Sequence, residues 1–196
     1  MLKIRKSDTL IPIFLLLMVL ACRGKTMPKP RGYFRIDFPE KQYILYDTTC
    51  PFSFEYPVYG KISYDVGDHS EPCWFNLVFP DFRATLYVSY QKVNGNLPVI
   101  LKEANEIVYS HSVKADAITE QPWYNSEERV FGLLYNIKGN TASSVQFVLT
   151  DSVNHFLRGA LYFSALPNED SLAPVIDFFR QDVVHFIESF RWKETN

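Results

Sequence analysis

Two neighbouring runs near the C-terminus constrain the fold most, because each is apolar on both of its faces. They are Ser143 to Thr150 and His155 to Ala165, and Asp151-Ser152-Val153-Asn154 forms a turn between them. A strand with one solvated face alternates apolar and polar residues, whereas a strand covered on both faces does not. The pair therefore predicts two central strands in a sheet that carries a helix on each face.

The remaining periodicity predicts the other strands and both helices. A two-residue period, at Phe34, Ile36 and Phe38, predicts a short first strand. Further strands are predicted at Phe52 to Tyr56, Lys61 to Val66, Trp74 to Phe79, Ala84 to Lys92, Ile118 to Tyr124 and Arg129 to Lys138. A helical period predicts helices from Leu97, capped at or near Asn96, and from about Ser171 to Phe190. The order predicts an α+β fold, with a mostly antiparallel sheet flanked by two helices.

Aromatic residues make up 16% of the chain, and most of them must lie in the core. Phe178 and Phe179 cannot both join one helical stripe, so we expect Phe178 to be partly exposed or to meet another element. Trp123, which follows Pro122, is a second candidate for an exposed aromatic. Exposed aromatic residues favour a surface that binds a partner.

The chain begins with a segment that has the features of an export signal. A basic start at residues 3–6 precedes an apolar run from Leu10 to Leu20. That run is too short to span a bilayer, which takes about 20 residues. It ends in Val19-Leu20-Ala21-Cys22, which resembles a bacterial lipobox, so Cys22 is the expected lipidation site. The alternative is an ordinary signal peptide with an incidental cysteine.

These features divide the chain into three predicted parts: a lipoprotein signal peptide at residues 1–21, a flexible tether at 22–30 and a single α+β domain at 31–196. The tether predicted at Arg23 to Pro30 has no periodicity and carries two prolines. Acyl chains on Cys22 would anchor the mature chain to a membrane.

Charge is distributed unevenly along the mature chain. Residues 22–41 contain six basic and two acidic residues, whereas residues 42–196 contain 11 basic and 19 acidic residues. A basic tether suits an anionic lipid surface or an acidic partner. The alternative is that these charges only follow the positively charged start of an exported segment. The acidic remainder excludes nucleic acid as a partner, because binding phosphates needs a dense positive surface.

Once Cys22 carries lipid, Cys50 and Cys73 remain as two thiols in an oxidising compartment. Each adjoins a proline, and we predict that they form one disulfide. The alternatives are a metal site or a catalytic thiol. Neither has support from the sequence, because there is no C-x-x-C motif and the four histidines are scattered.

No motif in the sequence predicts catalysis. G-x-S-x-G, H-E-x-x-H, the Walker loop and the dinucleotide glycine fingerprint are all absent. Asp151 and His155 lie across a predicted turn with Ser152 between them, but Asp and Ser in a turn usually bond its backbone. Two carboxylate pairs are expected on solvated helix faces: Glu103 with Glu106, and Asp177 with Asp182. We therefore predict no enzyme activity, no metal and no cofactor.

Two family resemblances add to this interpretation. The order of elements from about Phe52 onward, with Phe54 to Pro57 reading F-x-Y-P and Ile187 to Phe190 reading I-x-S-F, looks like the PsbP-like α/β/α sandwich. PsbP-like domains are generally non-catalytic accessory modules. The stretch from Pro28 to Tyr43, P-K-P-R-G-Y-F-R-I-D-F-P-E-K-x-Y, follows the lipobox and resembles the gliding motility lipoprotein GldD family of Bacteroidetes.

The second resemblance implies an envelope lipoprotein needed for gliding motility and for the associated type IX protein secretion machinery, with other envelope proteins of that machinery as partners. Lipoproteins of this phylum that reach the cell surface usually carry acidic residues after the lipidated cysteine. Here Arg23-Gly24-Lys25 follow Cys22, which indicates a periplasm-facing location on the inner or the outer membrane.

We expect the protein to act by protein–protein interaction, in assembly or stabilisation. The candidate partner-binding residues all lie just after the tether: Arg31, Tyr33, Phe34, Arg35 and Phe38. Arginine offers a planar fork of donors to carboxylates, which favours Arg31 and Arg35. The aromatic residues have the alternative of packing on their own domain. The alternative function is a periplasmic module or enzyme that acts on a small molecule or cell-wall glycan, which requires a concave pocket.

Overall fold

Ten strands and two α-helices make up the regular structure of the described residues. The structure is a computed structural model, and it describes residues 35–64, 71–164 and 169–193. The strands are β1 (Tyr43–Asp47), β2 (Phe52–Pro57), β3 (Lys61–Ser63), β4 (Phe75–Phe79), β5 (Ala84–Lys92), β6 (Ala115–Asn125), β7 (Val130–Gly139), β8 (Ser143–Thr150), β9 (His155–Phe163) and β10 (Arg191–Trp192). The helices are α1 (Leu97–Ser110) and α2 (Glu169–Ser189), and short 3₁₀ turns lie at Pro80–Phe82 and His111–Lys114.

The strands form two antiparallel sheets. The larger sheet has seven strands in the order β3-β4-β5-β9-β8-β7-β6, and the smaller has three in the order β1-β2-β10. Every strand pair in both sheets is antiparallel. Together with the two α-helices, this arrangement confirms the predicted α+β class.

Strand β8 is buried along its whole length, as its two-sided apolar pattern predicts. Val145, Phe147 and Leu149 belong to the core that includes α2 and the smaller sheet. Val148, from the alternate set, belongs to the second core under α1. The two helices therefore lie on opposite faces of the larger sheet, because successive side chains of a strand point to opposite faces.

The main core depends on one close approach that only a glycine allows. Phe147 of β8 lies over Gly159 of β9, and a Cβ on Gly159 would fall 2.2 Å from Cε1 of the phenyl ring. The ring fills the space that a side chain at position 159 would otherwise occupy. A residue larger than glycine at this position would therefore displace a fully buried ring from the core.

The strand predicted at Phe34, Ile36 and Phe38 is wrong for the described part of that run. Residues 35–42 have no regular secondary structure, and the first strand begins at Tyr43. Ile36 and Phe38 do turn toward the core, where both are partly buried. The two-residue period therefore indicates which side chains face the body, and no strand in the described part of the chain pairs with this segment.

Most other boundaries agree with the sequence patterns within three residues. β5 and β8 match their predicted ranges, and α1 begins at Leu97, after Asn96. β1 and β10 were not predicted, because β10 has only two residues and β1 reads YILYD, in which apolar and polar residues do not alternate. Part of the run from Lys61 to Val66 and the end of the run from His155 to Ala165 lie outside the described residues.

Cys50 and Cys73 form a disulfide, with their Cα atoms 5.6 Å apart. Cys50 precedes β2 and is buried in the main core, and Cys73 precedes β4 and packs at the edge of that core. The bond links the start of β2 in the smaller sheet with the start of β4 in the larger one. The predicted pairing is present in the structure.

We expect the double substitution Cys50→Ala with Cys73→Ala to lower the free energy of unfolding by about 3 kcal/mol, because the disulfide restricts the unfolded chain. The two cysteines are separated by 23 positions in the sequence, which sets the size of the loop that the bond closes. Urea denaturation of the purified protein, with and without the disulfide, measures the difference. Equal midpoints for the two forms would contradict the prediction.

Candidate functional site

The end of the segment that leads out of the tether is bound to the body by a buried charge cluster. We call residues 36–42 the strap, and β1 follows it directly. The strap crosses the side of α2, where Lys41 and Phe38 make its main contacts. Lys41 and Tyr43 are the last two defined positions of the stretch from Pro28 to Tyr43. The cluster therefore includes part of the most distinctive motif in the sequence.

Lys41 uses its ammonium group on three acceptors. Its Nζ lies 2.7 Å from Oδ1 of Asp182, 3.0 Å from the hydroxyl of Tyr59 and 2.9 Å from the carbonyl oxygen of Phe178. An ammonium has three N–H donors, so all of them are occupied. Nζ also lies 3.3 Å from the centroid of the Phe178 ring. That separation is within range of a cation–π interaction.

Asp182 is the centre of the cluster and is only 4% exposed. Its Oδ2 accepts a hydrogen bond from the Tyr59 hydroxyl at 2.6 Å, and its Oδ1 accepts one from the Tyr43 hydroxyl at 3.0 Å. With Lys41, the carboxylate has three partners, each from a different segment of the chain. A buried carboxylate is tolerated only with such partners, because desolvation of an unpaired charge is costly.

Tyr43 extends the cluster along α2. Its ring stacks on the imidazole of His185, with ring centroids 3.6 Å apart. His185 Nε2 lies 2.7 Å from Oε2 of Glu55 in β2. The start of β1, the middle of β2 and two consecutive turns of α2 are therefore joined by polar contacts.

Phe38 adds an apolar contact at the other end of the strap. Its ring stacks on Phe178 of α2 at 4.4 Å and on Phe82 of the first 3₁₀ turn at 5.9 Å. Phe178 is thereby buried to 9% exposure. Of the two alternatives expected for Phe178, partial exposure or contact with another element, the structure shows contact with another element.

Burial changes the ionisation of this cluster. Burial lowers the pKa of Lys41, and the hydrogen bond and charge of Asp182 oppose that shift. Burial, followed by the hydrogen bond and charge of Asp182, raises the pKa of Tyr59 well above its usual range. The pKa of Tyr43 is raised by burial and then by the charge of Asp182. Both tyrosines thus stay protonated as hydrogen-bond donors to the carboxylate over the physiological range.

The structure covers only part of the predicted partner-binding set. Cys22, Arg31, Tyr33 and Phe34 lie outside the described residues. Arg35 is exposed, and Phe38 is partly buried against its own domain. Phe38 packs on its own domain, as its stated alternative expected, and partner binding by all five residues stays a prediction.

Asp182 is the site residue that the sequence interpretation missed. It was expected on a solvated helix face with Asp177, but it is buried, so that expectation is wrong. The spacing held a signal: Asp182 lies four residues after Phe178 and four before Phe186, which places it beside the apolar stripe of α2. The pair Glu103 and Glu106 is exposed, as expected.

Asp151 and His155 have structural roles. Oδ1 of Asp151 accepts hydrogen bonds from the backbone N–H groups of Val153, Asn154 and His155 at 2.8–2.9 Å. These bonds outweigh burial and lower the pKa of Asp151. Nδ1 of His155 lies 2.8 Å from the Tyr90 hydroxyl. The carboxylate therefore closes the turn between β8 and β9 and is not oriented toward the imidazole as in a catalytic dyad.

Trp123 is not the exposed aromatic that was expected. It is half-buried and packs against the main core, while its neighbour Tyr124 is 77% exposed. The register of β6 on β7 pairs Trp123 with Gly132. Adjacent residues of a strand face opposite sides, which places Trp123 on the inner face and Tyr124 on the outer one.

Within the described ranges, no group of three or more His, Cys, Asp or Glu residues is arranged to hold a metal ion. No helix in the same ranges is long and apolar enough to cross a membrane.

Comparisons with known proteins identify relatives of the chain. The family described as "Gliding motility lipoprotein GldD" matches residues 23–192. No curated protein matches the sequence significantly. Among solved structures, the solution structure of cyanobacterial PsbP (CyanoP) from Synechocystis sp. PCC 6803 is similar, with 14% identity and a TM-score of 0.48, over 79% of this chain and 94% of that one. This likeness carries no information on function.

We expect Lys41→Met to lower the free energy of unfolding by about 3 kcal/mol, because it leaves the Asp182 carboxylate buried without its cation. The matched control is Lys102→Met. Lys102 pairs with Glu106 at 3.7 Å on the exposed side of α1. Exposed pairs of this kind contribute less than about 1 kcal/mol. Urea denaturation compares the two variants, and equal losses in both would contradict a central role for the cluster.

The raised pKa values of Tyr59 and Tyr43 predict a loss of stability in alkali. A tyrosine whose pKa is higher in the folded state stabilises fully below its unfolded pKa of about 10, and this contribution is lost as pH rises above that value. The lowered pKa of Lys41 acts in the opposite sense just below 10.5.

We therefore expect the free energy of unfolding to fall less steeply above about pH 10 in Tyr59→Phe than in the unmodified protein. Urea denaturation at intervals from about pH 8 to about pH 11 measures the two slopes. Tyr124→Phe, at the exposed position beside Trp123, is the control and should keep the original slope. Parallel curves for the unmodified protein and Tyr59→Phe would contradict this assignment.

Proposed function

The chain belongs to the gliding motility lipoprotein GldD family, and from this premise we propose that it is a periplasm-facing, lipid-anchored envelope protein that serves gliding and type IX secretion by binding other proteins. Lipid on Cys22 anchors it to the inner or the outer membrane. It acts in assembly or stabilisation of the machinery and not by catalysis.

The observation that carries this proposal is the attachment of the strap to α2. Lys41 and Phe38 hold the strap on the body, so the chain that leads to the membrane starts from a fixed point. Fourteen residue steps separate Ile36 from Cys22. An extended chain covers at most about 3.6 Å per residue, so the body stays within about 50 Å of its lipid anchor. A connection of this length between Cys22 and the strap suits an adaptor that works beside a membrane-embedded complex.

The surface beside the strap supports a protein partner. Phe38 and Pro39 of the strap, with Tyr59 and Phe82, line a groove that also includes Asp37 and Asp81. Arg35, the residue before the strap in the sequence, is exposed. A surface that combines aromatic rings with polar groups around them is typical of interfaces between proteins.

We expect Arg31→Glu with Arg35→Glu to abolish partner binding while leaving thermal stability nearly unchanged. Mild-detergent purification of the tagged lipoprotein from membranes, with quantitative mass spectrometry, measures recovery of motility and secretion proteins. Lys102→Glu with Lys114→Glu makes the same change of charge at exposed positions of the body and should keep binding.

Gliding and secretion at normal levels in the Arg31 and Arg35 double variant would contradict the role given to these residues. Recovery of the unmodified lipoprotein alone, at native expression and after crosslinking, would contradict the adaptor function itself.

The alternative function, binding of a small molecule or cell-wall glycan, has one observation in its favour. A groove between the first half of α2 and the ends of β7 and β8 is lined by Asn136, Ser144, Asp177 and Arg180. Oδ1 of Asn136 is buried there without a hydrogen-bond partner. Thermal stabilisation by muropeptides or glycans, abolished by Asn136→Leu, would favour this alternative over the adaptor.

A further inference from the structure

One side of the larger sheet is only partly covered. Helix α1 packs on Tyr135 and Ile137 of β7, Val148 of β8 and Phe156 at the start of β9. On the same side of β4, β5 and the rest of β9, most side chains are half-buried or exposed, and Ala160 is the buried exception. We call this region the open face, and it consists of Asn76, Val78, Thr85, Tyr87, Ser89, Arg158 and Tyr162. The opposite side of these strands is buried in the main core.

Arg158 lies in the middle of the open face, opposite Ser89 of β5 and Val148 of β8. Its Nη2 donates to Oε1 of Gln146 at 2.7 Å, and it also bonds the hydroxyl of Tyr162. Its Nε is buried and has no hydrogen-bond partner. Burial lowers the pKa of Arg158, and only Tyr162 opposes that shift.

Gln146 also has a buried N–H group that lacks a hydrogen-bond acceptor. The side chain is fully buried, and its Nε2 has no partner. Both unpaired atoms are N–H donors, and the two side chains that carry them are joined by a hydrogen bond. What this part of the structure lacks is therefore an acceptor, since a buried donor without one is unfavourable.

Charge indicates which acceptor fits. Within the described residues no carboxylate lies in ion-pair distance of Arg158. The open face contains no acidic side chain, although residues 42–196 carry 19 acidic and 11 basic residues. Lys61 of β3 faces the same side, opposite Val78. On an acidic body, this face therefore offers positive charge only, and it is complementary to an acidic partner.

The shape and the aromatic residues indicate a protein. Tyr87 is 49% exposed and meets Tyr162 edge to face at 5.6 Å. Tyrosine and arginine are enriched among the residues that contribute most to binding at protein interfaces, and an open sheet surface is flatter than the clefts that hold small ligands.

We propose that the open face binds a second protein, which places an aspartate or glutamate carboxylate on Arg158 between contacts with Tyr87 and Tyr162. This interface lies on the large sheet, away from the strap, and it deepens the proposed adaptor function, on which it rests. It gives the protein a second contact region besides the segment near Arg35.

The first test supplies the carboxylate for Arg158 from this chain itself. Ser89→Glu places a carboxylate directly across the strand pair from Arg158, where it can form an internal ion pair. We expect the melting temperature of the purified mature lipoprotein to rise by about 2 °C, and Ser89→Gln to leave it unchanged. An unchanged or lower melting temperature in Ser89→Glu would overturn the claim that Arg158 lacks a carboxylate.

The second test identifies the partner surface in cells. A photocrosslinking phenylalanine analogue replaces Tyr87 on the open face or, as control, exposed Tyr124 on β6. The proposal expects a protein adduct at position 87 whose crosslinked peptide contains Asp or Glu. Ser89→Glu should reduce this adduct at least tenfold, and Ser89→Gln should leave it within twofold.

Three results would overturn the proposal: no adduct at position 87 above the level at 124, an adduct with lipid or glycan, or an adduct that Ser89→Glu does not reduce. The adaptor function is tested separately, by measuring motility and secretion in a strain that lacks the protein. If that strain fails to glide while position 87 gives no adduct, the proposed function stands and the open face is not its interface.

Discussion

Complete burial of β8 is the constraint on which the rest of the structure depends. A strand without a solvated face needs apolar cover above and below, and no single helix can supply both. The chain meets this need with α2 and the smaller sheet on one side and α1 on the other. The apolar stripe of α2 thus covers one face of β8, and α1, the helix after β5, covers the other.

Burial of Asp182 imposes a second constraint. The carboxylate lies beside the apolar stripe of α2, so its partners must come from other segments. Lys41, Tyr43 and Tyr59 supply them, and in doing so they bring the strap, the start of β1 and the turn after β2 onto one helix. Specificity of this kind is one use of buried polar groups. In this protein the fixed segment is the one that leads toward the membrane anchor.

The two candidate contact regions differ in their chemistry. The groove beside the strap has aromatic rings and carboxylates, and it lies close in sequence to the predicted lipidation site. The open face has hydroxyl groups, two tyrosines and an arginine without a carboxylate. A protein with both can hold one partner near the membrane and a second on its sheet, which suits an adaptor in a multiprotein assembly.

The sequence by itself determined the class of the fold, the positions of both helices and most strands, the pairing of Cys50 with Cys73 and the family. Periodicity suffices for the fold class and its elements, because they depend on local spacing and on the burial of whole faces. The disulfide follows from the two thiols that remain once Cys22 is assigned to lipid, and the family follows from the resemblance of the stretch from Pro28 to Tyr43. Only the tertiary structure decided that the period at Ile36 and Phe38 indicates burial without a strand, that Asp182 is buried, and that Phe178 meets Phe38. Each depends on contacts between segments far apart in the chain or on a missing neighbour strand. A pattern along the chain shows which side of an element is apolar, and only packing shows what covers that side.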